Sequence, residues 1–229
     1  VEIWIGSLLE GAAHAQGAVA VIDVFRAFTT AAVVLANGAS RVIMVGSVDA
    51  ALALRQRGIG QVCMGEVHGL KPAAFDFGNS PLEVSGIDFK GRTIIQRTSA
   101  GTQGIVAAAG RAERLYAASL VTARATARAL AASERISLVA MGEEGRERTD
   151  EDELCALHLR QLLLGKPGAA QALRQVILAG GDVAQFDDPA RPYLPNGDLD
   201  IALDIDRYDF AVRVRLEDGR PVGRIECAS

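Results

Sequence analysis

Short apolar runs alternating with alanine-rich helical segments constrain this chain most. Ala18–Asp23 is a near-continuous apolar run of strand length that stops at an acid, which suits a strand buried on both faces. From Phe25 to Ala36 the pattern turns helical, and Asn37-Gly38 supplies a left-handed stop. Arg41–Gly46 returns to strand, Ser47 is placed to cap a helix through Arg57 that ends at Gly58, and Gln61–Met64 is the next strand. Glu2–Ile5, Arg92–Arg97, Leu115–Ala118 and Ile136–Met141 are further strands, with helices over Thr102–Ala109 and Val121–Ala132 between the later ones. Such alternation predicts an α/β chain with a mixed, largely parallel sheet sandwiched by helices, in three α/β/α layers. Phe210, Val212, Val214 and Leu216 then alternate with mostly polar residues, Asp218-Gly219 gives a turn and Val222–Glu226 returns, which adds a C-terminal β-hairpin.

The remaining stretches are less regular. Gly142–Arg148 reads as a loop, Thr149 followed by Asp152 approximates a capping box for a helix from Asp150 to Leu164, and Gly165-Lys166-Pro167-Gly168 breaks it. A further helix spans Ala169–Ala179, and Asp187–Pro195 is irregular, with three of the seven prolines. No internal repeat and no clear linker divides residues 1–229, which read as a single compact α/β unit or as two lobes with the site between them.

Composition narrows the partners. At 229 residues, 49% hydrophobic, the chain has apolar material for one sizeable core or two small lobes. A formal charge of -4, with no run of Lys or Arg, argues against a nucleic-acid partner. No apolar stretch approaches the roughly 18 to 20 residues of a membrane span, and no basic-then-apolar signal peptide is recognisable. Cys63, Cys155 and Cys227 are too far apart for a CxxC site and odd in number, so a reducing cytoplasm is expected. Alanine-rich helices with few aromatics are compatible with a homodimer.

Ligands in sheets of this class sit outside the carboxyl ends of the strands. Asp23, Glu66, the Thr98–Thr102 turn and Gly142–Asp152 all fall at such ends. Asp23-Val24-Phe25-Arg26 sets a carboxylate for a divalent ion or water near a guanidinium suited to phosphate; the alternative is an N-capping aspartate and a surface arginine. Met64–Pro81 carries Glu66, His68, Lys71 and Asp76 in a loop that its glycines and prolines keep out of helix and ladder. Thr98-Ser99-Ala100-Gly101-Thr102 is either an anion-binding helix start or an ordinary polar turn. Glu151 and Asp152 open a helix where the dipole favours acids, but Asp152 shares an apolar stripe with Ala156, Leu159 and Leu163 that turns it inward. His14, in a polar loop, His68 and His158 form no zinc spacing, and the excess of acids points to a hard ion such as Mg²⁺.

These residues resemble a known family. V-I-D-V-F-R-A-F-T-T, N-G-A at Asn37–Ala39, G-E-x-x-G-x-K-P at Gly65–Pro72, F-D-x-G-N-S-P-x-E at Phe75–Glu83, Thr98–Thr102 and E-D-x-L-C-A at Glu151–Ala156 follow the order seen in 2-phosphosulfolactate phosphatases. The resemblance implies a magnesium-dependent phosphohydrolase that converts 2-phosphosulfolactate to sulfolactate and phosphate in coenzyme M biosynthesis. Under it, Asp23, Arg26 and Glu66 are the expected catalytic residues. Lys71, Asn79, Ser80, Thr98, Gly101 and Thr102 are the expected contacts to a small phosphate ester, with Ser99 of the same turn beside them, and a subset of Asp23, Glu66, Asp76 and Asp152 is expected to hold Mg²⁺. Arg97 or Lys71 is a candidate partner for a second anion on the substrate. The chain departs from the family pattern at Ala100 and Thr122, where asparagines are expected, so a diverged, non-catalytic binder of a small anionic metabolite is the alternative.

Overall fold

The computed structural model describes residues 1–166 and 169–227, so Pro167 and Gly168 of the expected helix breaker lie outside the described residues. The chain runs β1 (Glu2–Ser7), α1 (Leu8–His14), β2 (Ala18–Ile22), α2 (Ala27–Ala36), β3 (Arg41–Met44), α3 (Val48–Gln56), β4 (Val62–Gly65), α4 (Pro81–Val84) and β5 (Thr93–Arg97). It continues α5 (Gly101–Ala108), β6 (Arg114–Ala118), α6 (Ala123–Leu130), β7 (Arg135–Ala140), α7 (Asp150–Leu163), α8 (Ala170–Leu178), α9 (Gly197–Ala202), β8 (Phe210–Glu217) and β9 (Arg220–Cys227). Among the described residues, no helix is long and apolar enough to cross a membrane.

The strands form one sheet in the order β1-β7-β2-β6-β8-β9-β3-β5-β4. One parallel block holds β1, β7, β2 and β6, and a second holds β3, β5 and β4. The hairpin β8–β9 lies between them, antiparallel to β6 on one side and to β3 on the other. The expected hairpin is therefore a central ribbon that joins the two blocks. Its ladder sense makes the blocks run in opposite directions, yet the ends of β2 and β5 meet. Twist accumulates across a two-stranded ribbon, and both blocks press one face on the same core around Phe28, Val34 and Ile105 of α2 and α5.

β2 shows why its run is so apolar. Val19 and Val21 face that inner core, while Ala20 and Ile22 face a second cluster with α6 and α7. With both faces covered no polar residue is tolerated, and each fully buried valine or isoleucine contributes about 1.5–3 kcal/mol. Ser47 caps α3, accepting from the Ala50 N–H at 3.1 Å, and Ser80 caps α4, accepting from Glu83 N–H at 3.1 Å with Pro81 in the first turn.

The structure departs from the sequence reading at particular places. His14, expected in a polar loop, lies in the last turn of the helix α1. α9 forms where the sequence carries no helical periodicity. The expected capping box at Thr149 is not formed, because Asp152 is drawn instead to the turns that follow β2 and β7.

Candidate active site

Asp23 follows β2 directly and is 5% exposed. Its Oδ1 accepts from Ala27 N at 2.8 Å and its Oδ2 from Gly101 N at 2.9 Å, so one carboxylate ties the starts of α2 and α5. Burial pushes its pKa up to about 6, against the Ala27 N–H, which lowers it, and with Glu66, which raises it. Asp152 holds the floor: Oδ1 accepts from Val24 N at 2.7 Å and Oδ2 from Gly142 N at 2.9 Å, which links the exits of β2 and β7. Burial, then Glu151 and Asp23, raise it well above the usual carboxylate range.

Glu66 follows β4. Its carboxylate accepts from Ser99 N at 2.5 Å, Gly69 N at 2.8 Å and Ser99 Oγ at 3.0 Å. Glu151, in the first turn of α7, accepts from Thr149 Oγ1 at 2.8 Å through Oε1, while its buried Oε2 has no hydrogen-bond partner. Burial pushes it up to about 8, with Asp182 and Asp23 adding repulsion. Asp23, Glu66 and Glu151 all line one pocket with Ser99, Ala100 and Gly142.

Arg26 enters the same pocket and is 4% exposed. Its Nη1 donates to Asp198 Oδ2 at 2.7 Å and to the Tyr193 carbonyl at 2.8 Å. Asp198, fully buried in α9, also accepts from Ser80 Oγ at 2.6 Å and from Leu82 N at 3.0 Å. The chain from Asp182 to Leu194 completes the wall, with Phe186 set edge-on against Phe25 at 5.2 Å between centroids.

The donor set suits a hard divalent cation. Three buried carboxylates share the pocket and Glu151 Oε2 is orphaned, whereas a buried charge needs a counter-ion or hydrogen bonds. Among the described residues, no three His, Cys, Asp or Glu side chains already stand as a ligand cluster, so the fit rests on that orphaned oxygen and its neighbours.

A family model described as 2-phosphosulpholactate phosphatase matches residues 6–187. The chain belongs to that family. A probable 2-phosphosulfolactate phosphatase of Deinococcus radiodurans is 39% identical over 180 residues, 78% of this chain and 68% of the relative. One of Thermus thermophilus is 40% identical over 135 residues, 58% of this chain and 56% of its own length. One of Bacillus subtilis is 31% identical over 208 residues, 87% of each. Family and relatives place the chain among the phosphatases, as a hydrolase. Asp23, Arg26, Glu66 and Glu151 fall inside the family match; Arg191, Tyr193 and Asp198 lie beyond residue 187.

Of the residues expected from sequence, Asp23, Arg26, Glu66, Asn79 and Ser99 line the pocket of this family member. Gly101 serves it through the N–H given to Asp23. Thr98 and Thr102 sit behind the wall, each N–H donating to the other's hydroxyl at 2.8 and 3.1 Å. Ser80 acts through Asp198, and Asp152 lies beneath the pocket with both oxygens engaged. Asp76 and Lys71 do not reach it. The chain returns along β4 after the loop, Asp76 N donating to Cys63 O at 2.9 Å, which turns Asp76 toward Arg55 of α3 at 3.1 Å and Cys63 N at 2.8 Å. Lys71 Nζ donates to the Asp76 carbonyl at 3.4 Å. The sequence did not mark Glu151, Asp182, Arg191 and Tyr193 as lining this pocket, or Asp198 as the partner of Arg26. The adjacent acids of E-D at 151–152 were visible, but a helix dipole explains both equally; the others sit in proline-rich or short segments with no periodicity to read.

Proposed function

We propose that this chain is a magnesium-dependent phosphatase that hydrolyses 2-phosphosulfolactate to sulfolactate and phosphate. The observation that carries the reading is the convergence of Asp23, Glu66 and Glu151 on one pocket with the Arg26 guanidinium. Asp23, Glu66 and Glu151 would hold Mg²⁺, with Asp152 bracing the turns beneath. When bound, the ion supplies charge neutralisation at a phosphoryl oxygen and acidifies water. Arg26, clamped by Asp198 and Tyr193 O, keeps its remaining N–H groups for the phosphoryl group, because phosphoryl transfer depends chiefly on positioning and charge stabilisation. Asn79, whose buried Oδ1 has no partner, lines the same wall. The two parallel blocks are read as two lobes of one unit with the site between them.

A second reading, a diverged binder of a small anionic metabolite, draws on Ala100, which lines the pocket where the family pattern carries an asparagine amide. Phosphate release from 2-phosphosulfolactate and a panel of other phosphate monoesters, with MgCl₂ and then with a chelator, separates the two. Chelator-sensitive release is expected. Binding of these esters without release from any of them would replace the first reading by the second.

A further inference from the structure

We infer that Arg191 recognises the second anionic group of the substrate, the sulfonate or carboxylate carried beside the phosphoester. This inference rests on the phosphatase reading above and assigns a specificity-determining residue to it.

The pocket is lined by the acids Asp23, Glu66, Glu143, Glu144, Glu151 and Asp182. Among the described residues, the arginines and lysines lining it are Arg26 and Arg191. Such a wall repels a substrate with more than one anion unless each anion meets a cation. A metal ion held by Asp23, Glu66 and Glu151, together with Arg26, answers the phosphate. The second anion needs another partner.

Neither of the other two basic candidates lines the pocket. Lys71 donates to the Asp76 carbonyl at 3.4 Å, and Arg97 Nη1 is held by the Glu66 carbonyl at 2.6 Å and Ser99 Oγ at 3.2 Å. His68 faces the pocket but is paired with Glu144, so the pair adds little positive charge.

Arg191 differs from Arg26 in how it is held. Arg26 is buried and clamped; Arg191 is 44% exposed, with Asp188 at 3.6 Å and Gln185 Oε1 at 3.3 Å as its side-chain contacts. Contacts that long are weak, and an exposed pair contributes little, so the guanidinium exchanges them for a better anion at small cost. Its backbone is nonetheless fixed: Arg191 N donates to Asp188 O at 2.9 Å, Leu194 N donates to Arg191 O at 2.9 Å, and Tyr193 O two residues on receives Arg26. A planar fork on an anchored turn, with loosely occupied donors facing an acidic pocket, is suited to an oxyanion with several acceptors.

Calorimetric binding of the two products tests this on the full chain. R191A removes charge-assisted hydrogen bonds to the anion and is expected to weaken sulfolactate binding roughly tenfold or more. Inorganic phosphate should bind as it does to the parent within about twofold, and R191K should fall between on sulfolactate. Equal losses for both products, no loss for either, or a parent protein that does not bind sulfolactate would overturn the inference. Lactate and propanesulfonate as competitors show which of the two anions Arg191 takes, and either result supports it. The phosphatase reading is judged separately by phosphate release from the parent protein. Binding that depends on Arg191 without release would sink that reading alone.

Discussion

Arg26 and Asp198, 172 positions apart in sequence, meet at 2.7 Å with side chains 4% and 0% exposed. The pair joins the turn after β2 to α9, beyond the segment that the family model matches. Breaking a buried pair from one side leaves a charge without a partner, so D198A is expected to lower unfolding free energy by about 3–5 kcal/mol. D198N, which keeps an acceptor for Arg26 or Ser80, should cost less stability than D198A and still raise KM for the phosphate ester. Denaturant unfolding and steady-state kinetics on both variants decide it. Equal stability of D198A and the parent would contradict the prediction.

Asp23 should behave as more than a cap. An asparagine there can accept from only one of Ala27 N and Gly101 N and sets an amide donor against the other, which leaves a buried N–H unsatisfied at about 1–3 kcal/mol. D23N is expected to stay folded with a lower urea midpoint and to lose turnover roughly a hundredfold or more, as when a preorganised group at the reacting centre is removed. A variant with parental kcat would take Asp23 out of the chemistry.

Asp76 provides the contrast. Its carboxylate serves Cys63 N and Arg55, away from the pocket. D76A is expected to reduce stability by about 1 kcal/mol and to leave the magnesium dependence of phosphate release unchanged. A shifted magnesium requirement would return Asp76 to the ligand set.

Stability should fall with rising pH over a defined window. Burial raises Glu151 from 4.5 to about 8 and Asp23 from 3.8 to about 6. A raised carboxyl holds its proton more tightly in the folded chain than in the unfolded one. Its favourable contribution is complete below the unfolded value and is lost as pH climbs through the folded value. Without divalent ions, the melting temperature is expected to drop between about pH 5 and about pH 8, and E151Q should flatten that slope. MgCl₂ favours the ionised carboxylates, so it should raise the melting temperature more at pH 8 than at pH 5. Scanning calorimetry over this range tests the sign, and an invariant melting temperature would be inconsistent with it.

Much of the fold was legible because its signals are local. The run Ala18–Ile22 is buried on both faces, Ser47 caps the helix it precedes, and Gly38 takes the left-handed φ of 94° that a helix stop requires. What escaped depends on contacts made elsewhere. α1 has no side-chain cap and contains Gly11, where a Cβ would stand 3.0 Å from the Gly6 carbonyl carbon; close packing, not propensity, places it. α9 is six residues long and begins with glycine. The Thr149–Asp152 pattern had the spacing of a capping box, but two backbone N–H groups from β2 and β7 exits claim Asp152. Neighbouring acids on a helix point in different directions, and sequence cannot say that Glu151 faces the pocket while Asp152 faces the floor.

The hairpin between the two parallel blocks also bears on how the protein is made. A ribosome releases β6 and β3 well before residues 210–227, so the nascent chain carries two strand edges whose future neighbours do not yet exist. Open edges of that kind invite pairing with other chains, and closing them demands contacts spanning most of the polypeptide, which slows assembly. Synthesis therefore passes through a stage in which both halves of the pocket wall have been translated but the seam that aligns them has not.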